Sequence, residues 1–257
     1  MIVYGNALTC DNLPDKYFKT IVTSPPYWSL RQYGDSELEM GQGSLAEYLD
    51  DTRACARVWR EKMTDDGVCW YNIADTAAGS GGAGGDHNRG GTKETIRKYR
   101  QGDSGLPPMQ WCNVPHRVAS IFQEEGWLYR HCVIWEKTSR NGSPVVRRAN
   151  LNHERRPGTS HEFIFMFSMG RRYTWNTHEL KERGSVWHFD VERGTTHDAP
   201  FPVELPLRCI PLTTNPGDAV LDPFGGSMTT VLAAQQLGRE GWGLELYDDL
   251  SRREGVG

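Results

Sequence analysis

The segment AVLDPFGGSMTT, residues 219–230, is the clearest indication of the fold class. An apolar strand ends at Asp222, two glycines form a turn, and a helix capped by Gly226 or Ser227 continues to about Leu237. Glycines in such a turn let the backbone approach a ligand closely at the carboxyl end of the strand, where open α/β sheets bind their ligands. The segment therefore predicts one ligand-binding unit of an α/β sheet.

The next predicted strand, residues 241–246, carries Glu245, which follows Asp222 by 23 residues. A carboxylate about 20 residues beyond such a turn can accept hydrogen bonds from both hydroxyls of a ribose. This spacing favours a ligand that contains a nucleoside. The alternative is a purely structural strand, turn and helix with a solvated glutamate.

A second motif, TSPPYW at residues 23–28, follows the apolar run 20–22. Its prolines lack backbone N–H groups and fix φ at about −65°, so the segment can neither extend a strand ladder nor enter a helix interior. Ser24 and Pro25 offer two oxygens to an amine, and Tyr27 offers an aromatic face to the ring that carries the amine. An ordinary proline turn at a strand end is the alternative interpretation.

Together the two motifs resemble the S-adenosylmethionine (SAM)-dependent DNA amino-methyltransferases. In that family a Ser/Asp/Asn-Pro-Pro-aromatic tetrad holds the target amine, and an Asp-Pro-Phe-x-Gly-Ser-Gly-Thr-Thr segment cradles the cofactor. The tetrad comes first here and the glycine turn last, as in the permuted β class. Further similarity extends along nearly the whole chain, at residues 5–8, 67–75, 126–137, 161–164 and 197–202.

Two positions depart from the family pattern. Met228 stands where the family commonly has Gly, beside the cofactor, and Asn6 replaces an Asp that contacts adenine. An Asn can accept from an amino group and donate to a ring nitrogen, so it can take over that contact. A bulky Met228 could shift the start of the helix, weaken SAM binding, or point away.

The residue patterns predict alternating strands and helices, which indicates a mostly parallel sheet covered by helices on both faces. Strands are expected at 2–5, 20–24, 67–74, 129–136, 161–168, 219–223 and 241–246, and helices near 44–63, 114–125, 203–211 and 227–237. The resemblance implies a Rossmann-like methyltransferase sheet of about seven strands, with one antiparallel strand and irregular DNA-recognition loops. We expect a single domain over residues 1–257.

The motifs and the resemblance give three sets of candidate residues. The catalytic set is the tetrad, Ser24, Pro25, Pro26 and Tyr27. The SAM-binding set is Asn6, Asp222, Phe224, Gly225, Gly226, Ser227, Thr229 and Glu245. The DNA-binding set is Trp28, Arg31, Lys137, Arg140, Arg147, Arg148, Arg155 and Arg156.

The charge distribution supports a polyanionic partner. Although the net charge is −4, residues 137–193 contain eleven Lys/Arg against six Asp/Glu, a balance of +5 that leaves −9 on the remainder. A duplex DNA could be neutralised by this basic part while the rest stays acidic. We expect target recognition in 138–160 and 171–200, and a mobile loop at 76–108, where residues 76–91 contain seven glycines.

Composition narrows the class further. Six cysteines without a Cys-x-x-Cys pair predict reduced thiols and no metal site. No apolar run reaches about 18 residues, and the chain opens on a strand without a charged leader, so we expect a cytoplasmic, prokaryotic or phage-encoded protein that does not enter membranes. Dimers are frequent among the proteins that the chain resembles, and the choice between monomer and homodimer is left open.

The target base is left open between two choices. Within the resemblance, Ser-Pro-Pro-Tyr favours cytosine N4 and Asp-Pro-Pro-Tyr favours adenine N6, so cytosine is preferred here. An RNA base or a glutamine side chain is a further alternative, although the glutamine-modifying family has Asn where this chain has Ser24. A protein of another class, a catalytically silent DNA-binding protein, would follow if Met228 spoiled the cofactor pocket.

Overall fold

Eight strands form one sheet in the computed structural model, which describes residues 1–28, 39–41, 43–78, 104–139, 141–146, 157–190 and 202–246. In chain order the strands are β1 Ile2–Tyr4, β2 Phe18–Thr23, β3 Met63–Ile73, β4 Leu128–Thr138, β5 His161–Ser168, β6 Val186–Asp190, β7 Ala219–Asp222 and β8 Glu240–Glu245. The helices are α1 Leu45–Lys62, α2 Val114–Glu124, α3 Glu204–Thr213 and α4 Thr229–Gln236, with a 3₁₀ turn at Thr177–Glu179.

The strand order is β1-β8-β7-β2-β3-β5-β4-β6. Only β5 among these strands runs antiparallel to its neighbours β3 and β4, and every other pair is parallel. This confirms the predicted α/β class, the mostly parallel sheet and the antiparallel strand. The additional eighth strand, β6, falls within the region that the sequence assigned to target recognition.

Helices cover both faces of the sheet, as expected. On one face, Tyr48 and Trp59 of α1 and Phe122 of α2 pack with the inward side chains of β3 and β5. On the other face, α3 and α4 cover Val22 and Trp70. Helix α1 begins at a capping box, in which the Ser44 hydroxyl accepts from the Glu47 amide and the Glu47 carboxylate accepts from the Ser44 amide.

The sheet reverses its winding direction between β7 and β2. The connection through α4 leads from β7 to β8 on one side, and the connection through α1 leads from β2 to β3 on the other. The two strands are direct neighbours, with Thr20 opposite Val220 and Ile21 opposite Leu221. Such a switch point opens a crevice at the carboxyl ends of the strands, where doubly wound sheets bind ligands.

Part of the predicted recognition region lies far from that crevice. Strand β5 ends at Ser168, which pairs with Leu128, the first residue of β4, and with Val68 in the middle of β3. The residues that follow are therefore at the amino edge of the sheet, where Asn176 Nδ2 donates to the Pro211 and Thr214 carbonyls beside the end of α3. Residues 171–180 thus lie at the edge opposite the crevice, because an antiparallel strand carries the chain there, and the expectation of target recognition in 171–200 stays a prediction.

All six cysteine side chains are free, and all but Cys132 are buried. Among the described residues there is neither a group of three metal-binding side chains nor a helix long and apolar enough to cross a membrane.

Candidate active site

The proline-rich tetrad and the glycine turn lie side by side at the carboxyl edge of the sheet. Thr23, which ends β2, donates its hydroxyl to Asp222 Oδ1 at 2.7 Å, and Asp222 ends the neighbouring strand β7. Thr230 in α4 donates to Asp222 Oδ2 at 2.9 Å, and the Phe224 amide donates to Oδ1 at 3.1 Å. One carboxylate thus joins the loop after β2, the loop after β7 and the start of α4.

Asp222 is fully buried, so both its oxygens are taken up inside the protein. Burial raises the pKa of this carboxyl to about 7, against the lowering effect of its hydrogen bonds from Thr23, Thr230 and Phe224. The sequence placed Asp222 in the SAM-binding set. The structure instead gives its side chain contacts within the protein, which hold the two motifs together.

The tetrad contains a directed chain of hydrogen bonds. The Ser24 hydroxyl donates to Tyr27 Oη at 3.2 Å, and Tyr27 Oη donates to Glu162 Oε2 at 2.7 Å. Ser24, Pro26 and Tyr27 are half-buried and Pro25 is buried. Within the described part of the chain, the Pro25 carbonyl accepts no hydrogen bond. The tetrad therefore has two oxygens with lone pairs to offer, Ser24 Oγ and the Pro25 carbonyl oxygen, and their predicted role as acceptors for an amine stays a prediction.

Glu162 was missing from the sequence-derived candidates, although the segment 161–164 contributed to the resemblance. It is 7% exposed at the start of β5 and lies between β3 and β4, which supply its partners. Asn72 Nδ2 donates to Glu162 Oε2 at 3.0 Å, and Lys137 Nζ forms an ion pair with Oε1. The sequence did contain a signal for Glu162, because a carboxylate directly before the apolar run FIFMF, residues 163–167, is unusual for a buried strand.

Two members of the predicted DNA-binding set have partners inside the protein. The Lys137 ammonium pairs with Glu162 and lies 5.2 Å from the Trp135 ring centroid. Trp28 is 3% exposed and donates its indole N–H to the Gly43 carbonyl at 3.0 Å. Lys137 thus anchors Glu162, and Trp28 supports the tetrad from within the core, while the contact of both residues with DNA stays a prediction. The remaining members lie outside the described residues, namely Arg31, Arg140, Arg147, Arg148, Arg155 and Arg156.

The glycine turn is bound tightly to the end of β8. The Gly225 amide donates to the Leu244 carbonyl at 2.8 Å, and the Gly226 amide donates to Glu245 Oε2 at 2.7 Å. A Cβ on Gly225 would lie 3.2 Å from the Leu244 carbonyl oxygen and 2.8 Å from the end of Met228. Gly226 has φ +50°, in the left-handed region that favours glycine.

Met228 takes the place of the predicted cap, and α4 begins at Thr229 rather than near residue 227. It is itself the residue before α4, with φ +60° and ψ +25°, and it makes no side-chain capping bond. Its side chain folds back onto β8, where Met228 Sδ lies so close to Gly243 that a Cβ on this glycine would be only 2.5 Å from the sulfur. Met228 therefore fills the space that Gly225 and Gly243 leave open. The neighbouring Ser227 and Thr229 hydroxyls lie 2.9 Å apart.

Asn6 lies beside the same edge, directly after β1. Tyr4 of β1 is opposite Glu245, and the Gly5 amide donates to the Glu245 carbonyl at 2.9 Å. Asn6 Oδ1 accepts from the Leu8 amide at 2.9 Å, which leaves Nδ2 as the group that the side chain can direct to a ligand.

These residues fit a cofactor with a nucleoside and an amino acid part. Glu245 supplies a carboxylate for ribose hydroxyls, Asn6 supplies an amide, and Gly225 and Gly226 permit close approach of the backbone. The half-buried Phe224 adds an apolar surface, with its ring packed edge-on against Trp59 at 6.1 Å between centroids.

The predicted mobile loop begins and ends at this edge too. The Ala78 amide donates to the Gln110 carbonyl at 2.7 Å, the Met109 amide donates to the Ala78 carbonyl at 2.7 Å, and Ala77 forms a bridge with Trp111. Residues 79–103, between these ends, lie outside the described residues.

A doubly wound sheet with an amine-binding tetrad beside a nucleoside-binding turn is typical of the amino-methyltransferase class. A family model described as DNA methylase, of the N6/N4 type, matches residues 18–252. The Type II methyltransferase M.SmaI of Serratia marcescens is 33% identical over 261 residues, which cover 96% of this chain and 87% of that protein. M.Cfr9I of Citrobacter freundii is 33% identical over 255 residues, covering 94% and 82%.

Solved structures show the same fold at low sequence identity. The PvuII DNA methyltransferase (cytosine-N4-specific) matches with a TM-score of 0.70 and 18% identity, covering 100% of this chain and 86% of that one. A putative DNA modification methylase of Thermus thermophilus, complexed with SAM, matches with a TM-score of 0.63 and 21% identity, covering 99% and 93%. The chain belongs to the N6/N4 DNA methylase family, the SAM-dependent methyltransferases that act on amino groups of DNA bases.

Proposed function

We propose that this chain transfers a methyl group from SAM to the exocyclic amine of a base flipped out of duplex DNA, and that the base is cytosine, modified at N4. The supporting observation is the contact between the motifs: the Thr23–Asp222 hydrogen bond holds the amine-binding tetrad beside the cofactor-binding turn. Positioning of this kind is a large part of catalysis, because reacting atoms held about 3–3.5 Å apart no longer have to find each other.

The cofactor supplies an electrophilic methyl group when bound. Asn6 Nδ2 would donate to the adenine ring, the Glu245 carboxylate would accept from the ribose hydroxyls, and Phe224 would pack against the cofactor. Gly225 and Gly226 would let the backbone approach it closely, and Ser227 and Thr229 would offer hydroxyls at the start of α4. Asp222 positions the two loops and is assigned no direct cofactor contact.

The tetrad activates the amine. An exocyclic amine is a poor nucleophile because its lone pair is delocalised into the ring. When Ser24 Oγ and the Pro25 carbonyl accept its two hydrogens, the nitrogen moves toward tetrahedral geometry and its lone pair becomes available. The same acceptors stabilise the positive charge that develops on nitrogen, so they act on the transition state. Pro26 keeps the carbonyl in place, and the Tyr27 ring flanks the base.

Cytosine is preferred because Ser24 is a neutral acceptor, and Ser-Pro-Pro-Tyr favours N4 of cytosine within the family resemblance. The amine can be reached only after the base leaves the helix, which costs a few kcal/mol. We assign this step to residues 138–160 and 191–200 of the predicted recognition regions, and to phosphate contacts of Arg31, Arg140, Arg147, Arg148, Arg155 and Arg156.

The test is transfer of labelled methyl groups from SAM to duplex DNA, followed by mass spectrometry of the nucleosides. We expect labelled DNA containing N4-methylcytosine. N6-methyladenine would overturn the choice of base and keep the reaction. DNA binding without any transfer would favour the silent DNA-binding alternative, and transfer to RNA or protein alone would overturn the choice of substrate.

A further inference from the structure

Glu162 is buried beside the tetrad and is joined to it by the hydrogen bond from Tyr27. Its carboxylate accepts from Tyr27 Oη at 2.7 Å and from Asn72 Nδ2 at 3.0 Å, and it is paired with Lys137. Three donors from three segments thus converge on one carboxylate. A buried carboxylate needs such partners, because an unpaired charge in the interior is strongly destabilising.

The network is not built for stability alone. Asn72 is 1% exposed, and its amide Nδ2 donates both to Glu162 and to the Phe163 carbonyl. Its Oδ1 is buried and has no hydrogen-bond partner among the described residues. A buried acceptor without a partner costs about 1–3 kcal/mol. The orientation in which the Asn72 amide donates to Glu162 thus carries the cost of an unsatisfied oxygen.

The carboxylate dictates the direction of the hydrogen bonds in the tetrad. An ionised carboxylate only accepts, so Tyr27 must use its single hydroxyl hydrogen on Glu162. Tyr27 Oη can then offer only lone pairs to Ser24, and the Ser24 hydrogen is used on Tyr27. Ser24 Oγ is left with lone pairs alone for the target base.

We propose that Glu162 is a positioning residue that fixes Ser24 as a hydrogen-bond acceptor and so selects an amino group over a carbonyl group at the target atom. This inference rests on the proposed function. An amine brings N–H donors to the Ser24 lone pairs, whereas the carbonyl of thymine or uracil brings lone pairs that repel them. Without Glu162 the chain can reverse, and Ser24 then donates its hydrogen and loses its effect on the amine.

The test is a double-mutant cycle with Glu162→Gln and Tyr27→Phe, measured as kcat on DNA together with the Kd for SAM. Each single variant is expected to lower kcat about tenfold to a hundredfold, as loss of an orienting partner does at metal centres, with the Kd for SAM changed less than about twofold. The double variant should be no slower than the slower single variant, because Glu162 acts only through the Tyr27 hydroxyl. Glu124→Gln, which removes a carboxylate paired with Arg53 at the end of α2, should keep wild-type kcat.

The outcomes separate the two proposals. A wild-type chain that methylates no DNA overturns the proposed function and this inference with it. If the wild type is active but Glu162→Gln has full activity, the inference about Glu162 alone is overturned. The same holds if the losses of kcat in the two single variants multiply in the double variant. If Glu162→Gln loses cooperative unfolding, Glu162→Asp takes its place in the cycle, since it keeps the charge near Lys137 but withdraws the carboxylate from Tyr27.

Discussion

At the scale of single residues, a few buried side chains organise the site. Asp222 is the clearest case, because its carboxylate joins both motifs while burial raises its pKa to about 7. An acid whose pKa is raised on folding binds its proton more tightly in the folded state. Its protonated form is therefore favoured by folding, and the protein loses stability as pH rises from about 4 to about 7.

Asp222→Asn should remove this pH dependence. An Asn can still accept from Thr23 and Phe224, and its amide can donate to Thr230, whose hydroxyl already donates to the Val22 carbonyl at 3.1 Å. In urea unfolding, the wild type should lose stability relative to the variant between about pH 4 and pH 7. The difference in the free energy of unfolding should change by on the order of a few kcal/mol over this range and stay constant above it. Parallel curves would contradict a buried, titrating Asp222.

Glu125 provides the matched control, because its contribution to stability should depend on pH in the opposite direction. Hydrogen bonds from Arg57 and Arg53 hold the pKa of Glu125 below its ordinary value. A carboxyl group whose pKa is lowered by folding stabilises the folded state at pH values above its ordinary pKa, and this stabilisation is lost as the pH falls. Glu125→Gln should therefore be less stable than wild type near neutral pH, and the difference should close in acid.

The sequence located the tetrad and the glycine turn but could not give the contacts between them. Thr23 and Asp222 are 199 positions apart, and their hydrogen bond exists because β2 and β7 pair. Glu162 was equally hidden, since its importance comes from three donors that approach it from other segments. Residue types indicate the chemistry, whereas burial and pairing decide which residues act on substrate and which act on other residues.

At the scale of elements, the packing of α4 on β8 explains how the chain accepts Met228. Its side chain fills the gap over Gly243, whereas a Cβ on Gly241 would lie 2.6 Å from the Val231 carbonyl oxygen. The neighbour of Gly243 is the flexible side chain of Met228, whereas the neighbour of Gly241 is the backbone of Val231. The two glycines should therefore respond differently to the same added methyl group.

Gly243→Ala should destabilise the protein by about 1–3 kcal/mol, and adding Met228→Ala should restore much of that stability, because the shorter side chain vacates the space. Gly241→Ala should be destabilising with or without Met228→Ala. Thermal unfolding of the four variants measures both effects. Equal rescue of both glycine variants would show that Met228 does not occupy the space above Gly243.

The sequence predicted most elements to within a few residues, but it missed β6. Its five residues alternate between exposed and buried, with Trp187 and Phe189 facing the core. Glycines and charges around this short segment resemble a loop, and only the pairing with β4 makes it a strand. Long apolar runs such as β5 were predictable because their burial does not depend on one particular partner.

At the scale of the whole molecule, two basic regions that the sequence had grouped connect to opposite edges of the sheet. Strand β4 ends at Thr138 and β5 begins at His161, both at the carboxyl edge, so the chain leaves and rejoins the sheet there around the first basic region, residues 139–160. Arg171 and Arg172 follow β5 at the amino edge. A duplex with a base in the crevice should contact the first region and not the second.

Arg147→Ala/Arg148→Ala should therefore weaken DNA binding and lower the slope of log K against log salt by about 0.9 for each phosphate that is no longer neutralised. The matched pair Arg171→Ala/Arg172→Ala should leave both the affinity and the slope unchanged. Fluorescence anisotropy over a salt series gives both quantities. A weaker affinity in the second pair alone would put the DNA on the opposite edge of the sheet.

The division of labour between the two motifs is tested most directly by comparing Ser24→Ala with Glu245→Ala in single-turnover methylation and SAM binding. Ser24→Ala should slow the methylation step about a hundredfold or more with the Kd for SAM nearly unchanged. Glu245→Ala should raise the Kd for SAM about tenfold to a hundredfold and leave the step at saturating SAM nearly unchanged. Ser120→Ala, an exposed serine on α2, should match wild type. Equal losses of rate and affinity in both site variants would contradict a crevice in which one motif holds the amine and the other holds the methyl donor.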